Sequence, residues 1–181
     1  MKRGTKFFLL ALVSVLTMGL SPPDFSRKDM IFGPPKIVDG DTVEIGGKRI
    51  DFFGIDAPEI GQNCRIFDLD WPCGDRAVVW LARFIGEGDV RCLPMAGRND
   101  RAGDLKAMCF NDETLNLNAA MIGEGMAVVN LKDGDWFEVA DTTARINRRG
   151  LWAGKFVNPA DWRRGRRMAP AGNRTIKRLK P

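Results

Sequence analysis

Two motifs of this chain, Asp39-Gly40-Asp41-Thr42 and Asp56-Ala57-Pro58-Glu59, hold four of the six carboxylates in the twenty-one residues 39–59. They sit on short strand-like runs broken by Gly and Pro, so the backbone must turn sharply between brief extended segments. A fold that accepts these runs brings like charges together. Such a cluster repels itself unless a cation holds it, and its first reading is a site for a hard, oxygen-seeking metal. The bland alternative is a turn at Asp39-Gly40-Asp41 and a loop or helix-start signal at Asp56-Ala57-Pro58-Glu59.

The 181 residues allow one domain with a full core, plus tails. There is no His and no Tyr. That excludes Ser-His-Asp and Cys-His catalysis and His-ligated zinc. The net charge of +5 belongs to the ends, because residues 7–162 hold 17 basic and 23 acidic side chains. The body is therefore mildly acidic, unlike a strongly basic nucleic-acid-binding domain. Behind Lys2, Arg3 and Lys6 lies a fourteen-residue apolar run, 7–20, too short for a comfortable membrane span. Residues 1–21 read as a cleaved export signal, with an uncleaved N-terminal anchor as the alternative. Export places the protein in the periplasm or outside the cell. It also makes the four cysteines disulfide partners, for which three pairings exist. Cys64 and Cys73 bracket a short loop, while Cys92 and Cys109 lie in two runs that a hairpin would set side by side. Cys64–Cys73 and Cys92–Cys109 are the expected bonds. Zinc is disfavoured because no Cys-x-x-Cys spacing occurs.

Residues 22–35 read as a linker, 36–162 as the folded domain and 163–181 as a basic, disordered tail. Strands are expected at 36–38, 42–45 and 49–53, with Gly46-Gly47 as a hairpin turn. Apolar residues at Ala77, Val78, Leu81, Ala82 and Ile85 give the spacing of a helix over 75–85. A hairpin over 90–95 and 105–110, a helix over 117–122, a strand over 126–129 and a helix over 140–149 complete the pattern. Three strands, a helix, two strands and further helices fit an α+β fold, a five-stranded oligonucleotide/oligosaccharide-binding barrel decorated with three helices.

Val38-Asp39-Gly40-Asp41-Thr42, Gly54-Ile55-Asp56-Ala57-Pro58-Glu59, Leu117-Asn118, Gly125-Met126-Ala127 and Ala144-Arg145 with Gly150-Leu151-Trp152 occur in one order and spacing. In these blocks, over about residues 36–157, the chain resembles the staphylococcal nuclease (thermonuclease) family, and its exported bacterial branch most of all. The resemblance implies Ca²⁺-dependent hydrolysis of DNA and RNA phosphodiesters. It assigns calcium to Asp41, Asp56 and the backbone carbonyl of Ala57, with Asp39 nearby shaping the field. Glu59 matches the catalytic base or water organiser.

Two positions depart from the family. Asp51 and Asp104 stand where the family has arginines that grip the phosphate. Arg suits that task because its planar fork binds phosphate bidentately and keeps its charge. Loss of one preorganised donor typically costs ~10²–10³ in rate, and here two are replaced by groups that repel phosphate. Arg49 and Lys106 each lie two residues from a lost arginine, about 7 Å along the same strand face. With Arg101 in the loop, they are the candidate substitutes. Ala102 and Leu131 stand where some members have Tyr. Hydrolysis is therefore expected to be strongly weakened or lost. The contrasting reading is a non-catalytic module that binds nucleic acid or an envelope partner. The basic tail suits phosphates or another anionic surface, or is simply solvated. The chain is expected to be a monomer.

Overall fold

The computed structural model describes residues 30–99 and 103–170. The expected signal or anchor, most of the linker, Arg101, Ala102 and the tail beyond residue 170 lie outside the described residues.

A mixed six-stranded sheet organises the fold. Its strands are β1 (Ile31–Gly33), β2 (Lys36–Ile37), β3 (Thr42–Ile45), β4 (Lys48–Phe52), β8 (Val90–Asn99) and β9 (Leu105–Phe110), in the order β1-β8-β9-β4-β3-β2. Only β4 and β9 run parallel. Two short ladders flank it: β5 (Ile55–Asp56) with β10 (Val128–Val129), and β6 (Cys64–Ile66) with β7 (Leu69–Trp71). The helices are α1 (Cys73–Ile85), α2 (Leu117–Gly123), α3 (Glu138–Ile146) and α4 (Pro159–Arg163), with a 3₁₀ turn at Gly150–Ala153.

This is the expected α+β class, with a different strand count. The segment 31–33, assigned to the linker from sequence, is a strand paired with β8 through Ile31↔Cys92 and Gly33↔Val90. The two outer strands of the sheet, β1 and β2, are separated in sequence only by Pro34-Pro35. Proline lacks the N–H a ladder needs, so one extended run is cut into two short strands that pair with opposite ends of the sheet. The chain thus joins both edges, as in a barrel, although no ladder is formed between β1 and β2.

The core lies between the sheet and helices α1 and α2. Val43, Ile45, Ile50 and Phe52 alternate inward from β3 and β4, and Ala77, Leu81 and Ile85 present one buried stripe of α1. Asn118, fully buried on α2, ties that helix to the sheet. Its Oδ1 accepts from the Cys109 N–H, and its Nδ2 donates to the carbonyls of Phe53 and Ala107. Asn118, one of the residues that carry the resemblance, thus serves the packing of the fold, because these buried backbone groups need partners.

Both expected disulfides are present, Cys64–Cys73 and Cys92–Cys109. The second links register partners on β8 and β9. Two disulfides point to an oxidising compartment. Among the described residues no helix is long and apolar enough to cross a membrane.

The final large helix is shorter and earlier than its apolar pattern predicts, ending at Ile146 rather than at 149. Arg148 takes a left-handed backbone conformation, φ 51°, which breaks the helical run before Gly150. The expected tail also begins differently. Asn158 caps α4 by accepting from the Ala160 N–H, and Pro159 occupies its first turn, so residues up to Arg163 are helical.

Candidate functional site

The turn before β3 and the loop after β5 bring the two carboxylate motifs together. The N–H groups of Val38 and Asp39 both donate to the Thr42 carbonyl, and the Asp41 N–H donates to Asp39 Oδ1 at 3.1 Å. Asp41 Oδ2 accepts from the Ala57 N–H at 2.6 Å, which joins the first motif to the second. A Cβ on Gly40 would stand 2.7 Å from Ala77 Cβ and 2.8 Å from Ala57 Cβ. The turn therefore packs onto α1 only with glycine there. Burial, with the charges of Asp39 and Asp51, pushes the Asp41 carboxyl well above the usual carboxylate range.

Asp56 is buried on β5, opposite Val128, and Glu59 follows in the loop. Gln62 shapes that loop. It is fully buried, its Oε1 accepts from the Glu59 N–H, and its own N–H donates to the Glu59 carbonyl. Its Nε2 donates to the Val157 carbonyl at 2.7 Å, tying the loop to the segment that leads into α4. A Cβ at Gly74 would lie 1.8 Å from the Glu59 carbonyl oxygen, so the start of α1 closes on this loop only with glycine.

The strongest contact in the site comes from a residue the sequence reading left in the tail. Arg163 Nη1 donates to Asp56 Oδ1 at 2.8 Å and Nη2 to Asp56 Oδ2 at 2.9 Å. The same Nη1 reaches Glu59 Oε1 at 2.5 Å. The hydrogen bonds to Asp56 and Glu59 hold the guanidinium even more firmly protonated than usual, against the effect of partial burial.

The opposite flank of the site is built on β4 and β9. Asp51 and Lys106 are register partners, with Lys106 Nζ 3.7 Å from Asp51 Oδ2. Lys106 is buried and also donates to Asp133 Oδ2 at 2.6 Å. Asp133 Oδ2 further accepts from Asn130 Nδ2 and the Gly54 N–H. Arg49 Nε donates to Asp104 Oδ2 at 2.8 Å. Asp51 and Asp104, expected at the family's arginine positions, therefore pair with Lys106 and Arg49, two of the three cations expected as substitutes, and the third, Arg101, lies outside the described residues.

A family model described as staphylococcal nuclease homologue matches residues 49–154. The chain belongs to this family. It is 32% identical over 143 residues to the Succinoglycan biosynthesis protein ExoI of Rhizobium meliloti (strain 1021), an alignment covering 77% of this chain and 73% of that protein. Within the matched span of the nuclease family lie Asp51, Asp56, Ala57, Glu59, Asp104 and Lys106, while Asp39, Asp41 and Arg163 fall outside it.

The structure thus groups Asp39, Asp41, Asp56, Ala57 and Glu59 at one place, and Arg49, Asp51, Asp104 and Lys106 beside them on the sheet. Leu131 is largely exposed. As arranged, the donor set does not fit calcium. Both Asp56 oxygens and Glu59 Oε1 are engaged by a guanidinium, and Asp41 Oδ2 by a backbone N–H. Among the described residues no three acidic or cysteine side chains are placed to hold a metal ion. Sequence reasoning missed Asp133 and Arg163. No local signal marks Asp133. For Arg163, the Asn158-Pro159 helix start was the available clue.

Proposed function

We propose that this is an exported member of the staphylococcal nuclease family whose hydrolysis of DNA or RNA phosphodiesters is strongly weakened or lost. The pairing of Asp51 with Lys106 and of Asp104 with Arg49 carries this reading. A phosphodiester needs fixed cations where negative charge grows on its oxygens. Here Arg49 and Lys106, two of the three cations expected as substitutes, already pair with carboxylates. Glu59 remains the residue suited to orient a water, but it shares a guanidinium with Asp56. Calcium at Asp41, Asp56 and the Ala57 carbonyl has no place in the arrangement described, and no step is assigned to it. Export rests on the two disulfides and the apolar segment 7–20, read as a cleaved signal or as an N-terminal anchor.

The deciding measurement is a nuclease assay on single-stranded DNA and RNA, with calcium and then with a chelator. Expected is little or no cleavage by the wild type, and a gain of at least ~10²-fold in the Asp51→Arg/Asp104→Arg double variant. Vigorous, calcium-dependent cleavage that Glu59→Gln abolishes would overturn the reading.

One observation favours a second reading, a non-catalytic module that holds an envelope polymer or nucleic acid. An open cleft of about 640 Å³ has Arg65, Phe67, Asp68, Trp152, Lys155 and Phe156 in its lining, with Arg65 paired to Asp70. Aromatic faces beside cations suit an anionic polymer, and the relative's name concerns succinoglycan biosynthesis. Retention on immobilised anionic polysaccharide or DNA, lost in Trp152→Ala, is the expected sign of it.

A further inference from the structure

The C-terminal segment is directed into the carboxylate site by specific contacts. Gln62 holds the Val157 carbonyl, Asn158 caps α4, and Pro159 starts it. The arginines after the helix are drawn elsewhere. Arg164 and Arg166 both bond to Asp161, and Arg167 stacks on the Trp162 ring with its guanidinium carbon 3.5 Å from the centroid. Arg163 alone of these four reaches Asp56 and Glu59.

Its geometry is that of a plug. A planar fork takes both oxygens of Asp56, and the inner nitrogen is shared with Glu59. A divalent cation entering the site would need the same oxygens. A phosphate would gain little, because the donors facing the cluster are already directed at carboxylates and Asp39 and Asp41 stand beside them. The plug is also removable. The Arg163 side chain is 50% exposed, and α4 has only five residues, of which Pro159 is the buried one.

We propose that Arg163 is the resident cation of this site, so that α4 is an autoinhibitory strap and Arg163 and a divalent cation exclude each other from Asp56 and Glu59. The proposal rests on the reading of these two carboxylates as the family's reactive cluster, and adds the group that governs entry to it. A strap seated about nine times in ten raises the apparent dissociation constant of a competing ligand about tenfold.

The test is a calorimetric titration of the purified whole protein with Ca²⁺ alone, comparing wild type, Arg163→Gln and Arg163→Lys. Arg163→Gln is expected to bind Ca²⁺ at least ~10-fold more tightly than wild type, and adding Asp56→Asn to it should abolish the gain. Arg163→Lys keeps the charge without the fork, so its affinity should fall between the two, and it serves if the Gln variant fails to fold. The same order is expected in the Ca²⁺-induced rise of melting temperature. An equal response of wild type and both variants, whether all bind or none does, overturns the strap. Vigorous cleavage by the wild type would instead overturn the weakened-nuclease reading, and leaves the calorimetric comparison as it stands.

Discussion

Asp51 on β4 has its cation, Lys106, as register partner on β9, whereas Asp56 and Glu59 take theirs from a helix more than 100 residues further along the chain. The first arrangement is part of the fold. Lys106 and Asp133 are both buried, and Asp133 also accepts from the Gly54 N–H and Asn130 Nδ2. The second hangs on a five-residue helix with a half-exposed guanidinium. Neutralisation of Asp51 by its register partner Lys106 lasts for as long as the sheet exists. Neutralisation from α4 rests instead on a half-exposed side chain. The same chemistry, an ion pair, therefore contributes stability on one side and control of access on the other.

That contrast is broken most directly at Lys106. Lys106→Met leaves Asp133 charged and buried without its cation, and is expected to destabilise the protein by about 3–5 kcal/mol in urea unfolding. A loss below about 1 kcal/mol would mean that the buried pair is not integral to the sheet.

A smaller effect, with a defined dependence on pH, is expected at Asp41. Its folded-state pKa is raised by burial and by Asp39 and Asp51. The stability linked to its proton is therefore fully present below its ordinary value, near 3.8, and is lost as pH rises through the raised value. Without added divalent cation, Asp41→Asn should melt higher than wild type at neutral pH, and the gap should close on acidification below about pH 4. A gap that is the same at every pH would assign the effect to packing rather than charge.

The smallest change belongs to Arg49→Ala. Its partner Asp104 is mostly covered, but Arg49 itself is 45% exposed, so the free energy of unfolding should fall by less than about 1 kcal/mol. A larger loss would place this pair with Lys106 in the permanent class.

Much of the frame was legible because it is local. The alternation in β3 and β4 and the i, i+4 stripe of α1 depend on neighbours a few residues away, and Cys92 and Cys109 lie 17 residues apart within one hairpin. The strand at 31–33 was hidden by Pro34-Pro35, which looks like a linker until the pairing partner in β8 is known. The hairpin of β6 and β7 was equally hidden, since Leu69 is exposed and no buried face marks the run. At the site, the spacing of Asp39, Asp41, Asp56 and Glu59 pointed to the acidic cluster, and positions 51 and 104 raised the expectation of a departure from the family. Arg49 and Lys106 were visible as cations on the correct strands. Their engagement by Asp104, Asp51 and Asp133 was not, because side-chain pairing across strands depends on register.

By itself, then, the sequence determined the fold class, the two disulfides and the acidic cluster, all set by residue type and short-range spacing. Only the tertiary structure decided what neutralises that cluster. Charge acts through space, and a basic run near the end of a chain carries no record of where its arginines will point. Gln62, Asn158 and Asp161 settle that here, by steering one guanidinium of four onto Asp56 and Glu59.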